Sequence, residues 1–267
     1  MAQKRSENTY QKINTIFKRD AKNIIMPYAA FTEPEYEYLR SIKWHAEEKI
    51  DGTNIRIEVI PSLKYCAGGN IGIKYTVCYK GKTDNAQVPA HLMEYLQANY
   101  PKERVLSALG IEEFTSMTNC TKEQIESMAA APTYTIYGEG YGVKIQKGGN
   151  YIKDGVGFIV FDVKVGNMYL LVPNRNDIAE KLGAPVVPYI GDFTIDEAID
   201  FVRKGFKSKI AENKDYMAEG LVLRTHVGLR NRRGERLITK IKHEDFIKYR
   251  NTYGTDDEVE QPTNTHY

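Results

Sequence analysis

The sequence predicts an α+β fold of antiparallel sheets with flanking helices. Short runs that alternate apolar and polar residues, typical of strands, recur along the chain, and helical segments occur between them without regular alternation. A doubly wound parallel sheet would require that regular alternation. The 267 residues suffice for a sizeable core. We expect a catalytic domain over residues 41–251, an amino-terminal appendage over 1–40 that packs on it, and a disordered tail over 252–267.

The first predicted strands flank Lys49. Between Trp44 and Ile60 the apolar residues after Lys49 alternate with charged ones, which is the period of a strand. Asp51-Gly52 is a turn signal between the two halves. Lys49 is therefore expected at the end of a strand, facing a cleft rather than lying on a helix surface.

The remaining elements follow from the same two periodicities and from capping patterns. Thr121 and Thr194 each precede Gln or Glu by three residues, which is the pattern of a capping box at the start of a helix. In chain order, we predict a strand over 74–79, helices over 88–98 and after Thr121, strands over 133–137, 157–164 and 168–172, helices capped by Asn174 and Thr194, strands over 217–224 and 236–242, and a helical turn or two over 243–250.

Composition excludes some classes of protein and leaves others open. The formal net charge of +2 neither demands nor excludes a polyanionic partner, so a nucleic-acid surface would be local, with 230–242 the best candidate and 203–209 a weaker, helical one. Three cysteines without a Cys-x-x-Cys pair argue against a zinc knuckle or a disulfide framework. No apolar run is long enough for a signal peptide or a membrane span, so we expect a cytoplasmic protein that binds no membrane. Separately, we expect it to be a monomer.

The histidines give no signal in sequence. The spacing of His45, His91, His226 and His243 matches no metal-ligand pattern, and no role is assigned to them.

The segment around Lys49 carries the strongest chemical signal, and it reads Glu47-Glu48-Lys49-Ile50-Asp51-Gly52-Thr53-Asn54. A lysine amine can act as a nucleophile toward phosphorus when it is neutral, which requires nearby cations and desolvation beside the phosphates. Lys240 and Lys242 are candidates for those cations, because alternate residues of a strand share one face. Mg²⁺, or Mn²⁺ in its place, would add charge and help to orient a leaving pyrophosphate.

Two glutamates and one phenylalanine are candidates for holding a nucleotide. Glu139 and Glu219, each beside glycine at a strand end, offer oxygens suited to magnesium and to the hydroxyls of a ribose. The neighbouring glycines would let a ligand approach the backbone. Phe161 is the candidate platform for adenine, and Phe158, on the opposite face of the same strand, is assigned to the core.

Lys82 lies in a stretch that invites comparison with a phosphate-binding loop. Thr76 occupies the position where the leading glycine should be, so that interpretation is rejected. Lys82 is instead expected to reach a phosphate or a nucleic-acid end from a loop.

Five blocks in order resemble the covalent nucleotidyltransferase superfamily of polynucleotide ligases and capping enzymes, and within it the RNA ligase 2 type of phages and trypanosome editing complexes. The blocks are those around Lys49, Glu139, Phe161, Glu219 and Lys240–Lys242, so the resemblance spans Trp44 to Lys242. It implies that family's fold, in which antiparallel sheets and flanking helices surround a nucleotide cleft.

The resemblance also implies roles for individual residues. Lys49 would be the nucleophile that forms a covalent lysyl-AMP, with Lys240 and Lys242 as the paired catalytic lysines. The residues implied to bind ATP are Glu48, Lys49, Asn54, Glu139, Phe161, Glu219, Arg224, Lys240 and Lys242, those implied to hold the metal are Glu139 and Glu219, and those implied to contact the substrate are Asp51 and Lys82.

Two positions depart from the family pattern. Asp51 stands where the RNA ligase 2 type usually has histidine and DNA ligases have aspartate, and Lys82 stands where the family usually has arginine. Lysine lacks the bidentate geometry of arginine toward a phosphate.

The implied reaction is ATP-dependent ligation of RNA, in which AMP passes from ATP to Lys49, then to a 5′-phosphate end, and is displaced by a 3′-hydroxyl. RNA is favoured over DNA as the partner, as in RNA repair. The alternatives are a minimal ATP-dependent DNA ligase, which Asp51 favours and Glu48 and Asn54 disfavour, a capping guanylyltransferase, and a non-catalytic nucleic-acid-binding module that has kept the fold.

Overall fold

The computed structural model describes residues 8–27, 30–66, 69–146 and 151–254. Residues 8–11 and 51–187 form one compact unit, called unit 1, and residues 12–50 and 188–254 form the other, called unit 2. Most of the predicted tail over 252–267 lies outside the described residues. Among the described residues, no helix combines the length and the apolar character that crossing a membrane requires.

The described elements are, in chain order, β1 Asn14–Thr15, α1 Glu35–Tyr38, β2 Trp44–Lys49, β3 Thr53–Tyr65, β4 Ile71–Lys80, α2 Ala90–Asn99, α3 Lys102–Ala108, β5 Phe114–Met117, α4 Lys122–Ala129, β6 Tyr134–Gly142, β7 Val156–Val165, β8 Met168–Tyr169, α5 Val172–Leu182, β9 Tyr189–Phe193, α6 Ile195–Lys204, β10 Gly220–Arg224, β11 Ile238–Lys242 and α7 His243–Tyr253.

Unit 1 is built on a six-stranded sheet with the order β5-β4-β3-β6-β7-β8, in which every neighbouring pair is antiparallel. Alternate residues of β3 face its core, because the strand period is two. That core combines sheet residues with side chains from α2, α3 and α5, and includes Ile55, Ile57, Val59, Leu92, Leu96, Val105, Ile136, Phe158, Val160 and Leu182. The opposite face of β3 carries Asn54, Arg56 and Glu58.

Unit 2 is built on a five-stranded sheet with the order β1-β11-β10-β2-β9. The short strand β1 runs parallel to β11, and the other pairs are antiparallel. One face packs against α6 and α7, and its core includes Trp44, Ala46, Ile195, Ile199, Val202, Leu221, Leu223, Ile241 and Phe246. The residues that alternate with these core positions therefore lie on the other face.

Most predicted elements are present, and the antiparallel α+β prediction is confirmed. Both capping boxes form: the hydroxyl of Thr121 accepts from the N–H of Gln124, and that of Thr194 from the N–H of Glu197.

The prediction was wrong between Met168 and Asn174. The strand β8 ends at Tyr169 and α5 begins at Val172, with Leu171 as its N-cap. Pro173 explains the early start, since proline suits the first turn of a helix, where its missing N–H is not needed.

Candidate active site

The pairing of β2, β10 and β11 sets the candidate residues of unit 2 in rows across the sheet. Lys49 lies opposite Gly220, which lies opposite Lys242. One row further, Val222 separates Glu47 from Lys240. Lys49 is the last residue of β2, as predicted, and the two strand lysines share a face with it.

Glu219 joins two of these lysines. Its Oε2 accepts from Lys49 Nζ at 2.7 Å, and its Oε1 lies 2.5 Å from Lys242 Nζ. The Glu219 side chain is 15% exposed, so water screens these ion pairs less than it would at the surface. The structure thus brings together three of the residues predicted for the nucleotide site, and one carboxylate fixes the position of two ammonium groups.

Glycines beside the candidate glutamates serve packing. A Cβ on Gly220 would lie 1.9 Å from the carbonyl oxygen of Ile241. In unit 1, a Cβ on Gly138 would lie 2.3 Å from Phe158, and one on Gly140 would lie 2.5 Å from Leu92. Packing within each unit therefore requires glycine at these positions, and the expectation that they also let a ligand approach stays a prediction.

Glu48 points away from Lys49, because neighbouring strand residues face opposite sides. It is 1% exposed, and its carboxylate accepts from Ser208 Oγ at 2.5 Å and from the backbone N–H of Lys209 at 2.8 Å. Burial raises the pKa of Glu48, and the two hydrogen bonds oppose that rise. Its described partners are thus internal to unit 2.

Arg224 pairs with a buried carboxylate. Its Nη2 lies 3.0 Å from Glu47 Oε2, and the side chains of Arg224 and Glu47 are 11% and 1% exposed. Removing one partner would leave the other charged and buried. This contact gives Arg224 a structural role in unit 2, and its predicted role toward ATP stays a prediction.

A basic pocket of about 500 Å³ lies beside the two strand lysines. Lys240 and Lys242 line it together with Lys12, Arg19 and Lys248. Sequence reasoning gave the amino-terminal residues no chemistry and missed Lys12 and Arg19. The two-residue strand β1, which sets this segment against β11, is too short to show a period in the sequence.

Three candidate residues of unit 1, Asn54, Glu139 and Phe161, share the face of its sheet that is turned away from the core. Asn54 lies opposite Glu139 across β3 and β6. Among the described residues, Asn54 Oδ1 is buried and has no hydrogen-bond partner, and its predicted role toward ATP stays a prediction. The backbone N–H of Asp51 donates to the hydroxyl of Tyr151 at 2.8 Å, which fixes the turn before β3.

Phe161 lies at a β-bulge. Tyr137 pairs with Asp162 and Gly138 with Val160, so Phe161 is the extra residue on β7. Its ring lies edge-on to Tyr10, with centroids 4.9 Å apart, and stacks on Tyr137 at 6.5 Å. Phe158 is fully buried in the core of unit 1, as expected.

Lys82 lies in an exposed loop that a buried arginine holds in place. Arg56, 0% exposed, donates from Nε to the carbonyl oxygen of Gly81 at 2.9 Å and from Nη2 to Asp84 Oδ1 at 2.8 Å. Sequence reasoning missed Arg56, because an arginine between apolar strand residues is indistinguishable from a solvent-facing one.

The basic segment 230–242, predicted as a nucleic-acid surface, divides in the structure into a turn over 230–236 and the strand β11. Arg230 and Arg236 pair through an isolated antiparallel β-bridge. The side chains of Arg230, Arg232 and Arg233 are exposed.

The predicted site residues fall on both units. Unit 2 carries Glu48, Lys49, Glu219, Arg224, Lys240 and Lys242, and unit 1 carries Asp51, Asn54, Lys82, Glu139 and Phe161.

Comparison with solved structures shows the fold of an RNA ligase. A lysine-to-alanine variant of the Naegleria gruberi RNA ligase with ATP and Mn is 16% identical, with a TM-score of 0.51, and the match covers 90% of this chain and 63% of that one. A glutamate-to-alanine variant with AMP and Mn is 15% identical, with a TM-score of 0.52, over 89% and 63% of the two chains. This chain thus spans less than two thirds of the length of the Naegleria chains it matches.

The family comparison rests on the sequence itself. No curated protein matches the chain. The model of the RNA ligase family matches residues 42–242, which covers all five blocks and the whole span of the resemblance noted in the sequence. The chain belongs to the RNA ligase family.

Proposed function

We propose that this protein is an ATP-dependent RNA ligase that works through AMP bound covalently to Lys49. The observation that carries the proposal is the bridge made by Glu219 between Lys49 and Lys242, at 2.7 and 2.5 Å. It sets a lysine amine and further cations on one sheet face, which is the arrangement that attack on a phosphate requires.

The proposed first step is attack of Lys49 Nζ on the α-phosphorus of ATP. The Lys49 ammonium first releases a proton to solvent. The lone pair of the neutral Nζ then forms the N–P bond as the bond from the α-phosphorus to the pyrophosphate oxygen breaks, and the nitrogen releases a second proton to solvent. Lys240 and Lys242 supply positive charge toward the departing pyrophosphate. Glu219 holds the ammonium groups of Lys49 and Lys242 in position before ATP enters, and the incoming phosphates then compete with it for those groups.

A divalent cation fits the donor set of these residues. Glu139 in unit 1 and Glu219 in unit 2 each offer the hard carboxylate oxygens that Mg²⁺ or Mn²⁺ prefers, and the Naegleria RNA ligase structures hold Mn with ATP or AMP. Both Glu219 oxygens contact lysines, so an ion bound by Glu219 would compete with those lysines. When bound, the ion would neutralise charge on the triphosphate.

The proposed substrate is RNA with a 5′-phosphate and a 3′-hydroxyl. The exposed arginines of the turn 230–236 give unit 2 a local positive surface for the RNA backbone, although the net charge of the whole chain is only +2. AMP passes from Lys49 to the 5′-phosphate, and the 3′-hydroxyl then displaces it.

The test is incubation with α-labelled ATP and Mg²⁺, denaturing electrophoresis, and a chase with nicked RNA or nicked DNA. We expect an acid-labile adduct that RNA discharges. Lys49→Ala should abolish the adduct, and Lys43→Ala, which removes an exposed lysine paired with Glu197 in the same unit, should retain it.

The outcomes separate the alternatives. Discharge by nicked DNA alone would identify a DNA ligase, and an adduct with GTP alone would identify a guanylyltransferase. No adduct from folded protein that is not already adenylylated would leave a nucleic-acid-binding module, and label on a residue other than Lys49 would overturn the assignment of the nucleophile.

A further inference from the structure

Two side chains on the sheet of unit 2 and one in the segment after β10 form a cluster next to Arg224. His45, Asp192 and His226 each offer one ligand atom, and these atoms lie within 4.8 Å of one another. His45 on β2 is opposite Asp192 on β9 and opposite Arg224 on β10, and His226 follows Arg224 by two residues. The sheet therefore assembles a set of two histidines and one carboxylate that no sequence spacing reveals.

Two of the ligand atoms already have the separation that a shared metal ion requires. His226 Nε2 lies 3.2 Å from Asp192 Oδ1. Ligand atoms bound to one zinc ion are about 3 to 3.5 Å apart, given metal–ligand distances near 2.0–2.2 Å. The His226 and Asp192 side chains are 50% and 41% exposed, so they are free to rotate by the further ångström or so that closure around an ion would take.

His45 has the support that a metal-bound histidine commonly has. Its Nε2 lies 3.2 Å from Glu47 Oε1, and a metal-bound histidine commonly has a carboxylate at its other ring nitrogen, an arrangement in which Nδ1 would be the ligand atom. Arg224 in turn holds Glu47 at 3.0 Å. The His45 ring also stacks on Tyr189, with centroids 4.8 Å apart, which fixes its plane.

We propose that His45, Asp192 and His226 bind a divalent transition metal of the zinc class. Imidazole nitrogens with one carboxylate oxygen suit Zn²⁺ and its neighbours and disfavour Mg²⁺, which prefers oxygen ligands. Three protein ligands leave a coordination position for water. The ion would link β9, β2 and the segment after β10, and so brace the strand that ends at Lys49.

The test is a titration of the full-length, tag-free protein with Zn²⁺, followed by calorimetry, in millimolar Mg²⁺ and without ATP or RNA. We expect one Zn²⁺ per chain. His226→Ala and Asp192→Asn should each weaken the affinity by about tenfold or more. His91→Ala, which removes an exposed histidine of α2 in unit 1, is the matched control and should bind as the unchanged protein does.

Cobalt gives a second measurement, because bound Co²⁺ absorbs visible light according to its ligands. The site would be supported by a Co²⁺ spectrum that shows no thiolate absorption and that is lost in the His226→Ala variant. Absence of binding, or equal binding by the unchanged protein and both cluster variants, would overturn the proposal. Binding that is lost only when Cys66, Cys78 and Cys120 are replaced by serine would also overturn it. Since no nucleotide is present, these results do not depend on ligase activity.

Discussion

Glu219 holds the amine of Lys49 in place through a single carboxylate. Its two oxygens contact Lys49 and Lys242 separately. Glu219→Gln keeps the shape of the side chain but removes the charge, so both ammonium groups lose their fixed partner. We expect the rate of adduct formation with ATP to fall by about 10²-fold, which is typical of losing one preorganised electrostatic group.

The measurement is the single-turnover rate of adduct formation at saturating ATP. Glu197→Gln is the matched control, because Glu197 pairs with Lys43 on the exposed surface of unit 2, and its rate should be unchanged. A Glu219→Gln protein as fast as the control would show that the bridge has no part in the reaction.

Glu48 should make the stability of the protein depend on pH. Burial raises the pKa of Glu48, so the folded state binds its proton more tightly than the unfolded chain does. The contribution of Glu48 to the free energy of unfolding therefore falls as the pH rises from the ordinary glutamate value, about 4.3, through the raised value. Ser208 opposes this loss through its hydrogen bond to the ionised form.

Ser208→Ala should widen the pH range over which Glu48 lowers the free energy of unfolding. Without the hydroxyl the pKa of Glu48 rises further, so the variant should lose about 1 to 3 kcal/mol more at pH 7 than at pH 4. Denaturant unfolding at the two pH values measures the difference. The Ser208 hydroxyl also accepts from two backbone N–H groups, and that part of the cost should not vary with pH. A penalty equal at both pH values would contradict the expected role of Glu48.

The sequence predicts the positions of the candidate lysines better than it predicts their surroundings. Lys49, Lys240 and Lys242 are recognisable because strand periodicity fixes which face each side chain occupies. The carboxylate bridge of Glu219 depends on the register of three strands, and the cluster of His45 with His226 depends on pairing across β9, β2 and β10. Neither register is encoded by a local pattern.

At the scale of the helices, the two capping boxes have the same pattern and different surroundings. α6 buries Ile195, Ala198, Ile199 and Val202, whereas α4 has no buried residue. Thr194→Ala should reduce the free energy of unfolding by about 1 kcal/mol, because the start of α6 is tied to the core of unit 2. Thr121→Ala should loosen α4 with little effect on global unfolding.

Hydrogen exchange and denaturant unfolding together check this prediction. The Thr121 variant should exchange faster within α4 and unfold at nearly the same denaturant concentration as the unchanged protein. Equal losses of global stability in the two variants would show that burial of the helix face does not decide the outcome.

Strand irregularity limits what alternation can predict. From Phe158 to Phe161, strict alternation correctly puts the two rings on opposite faces, but the bulge places Phe161 and Asp162 in successive positions on the face of Tyr137. Asp162 there accepts from the hydroxyl of Tyr10 at 2.8 Å. Strand β7 has no turn-forming residue at the bulge that would indicate it in the sequence, so the sequence alone did not predict the bulge.

At the scale of the whole molecule, the chain leaves unit 2 near Ile50 and returns to it near Pro188. Asp51-Gly52 at the first crossing is interpreted from the sequence as a turn between two strands of one domain, so the sequence predicted one catalytic domain over 41–251. That boundary stays a prediction. The division into two units is visible in the strand pairing instead, because β2 forms its sheet with β9 and β10, which come from the later part of the chain.

The assignment of residues to two units predicts that the partial reactions can be separated. The lysines proposed to act on ATP lie in unit 2, and Lys82 lies in unit 1, exposed in a loop that Arg56 anchors. Lys82→Ala removes a cation without touching that anchor, so the fold should be retained. We expect adduct formation to stay within about twofold of the unchanged protein, and transfer of AMP to a 5′-phosphate to slow by about tenfold or more.

The two rates are measured apart, the first with ATP alone and the second by adding nicked RNA to purified adenylylated protein. Lys122→Ala is the control, since Lys122 is an exposed lysine of the same unit with only a 3.8 Å contact to Glu126. Equal slowing of both steps in Lys82→Ala would move Lys82 to the ATP site. Selective slowing of the second step would instead place recognition of the 5′-phosphate on unit 1, where lysine takes the position that arginine usually holds in the family.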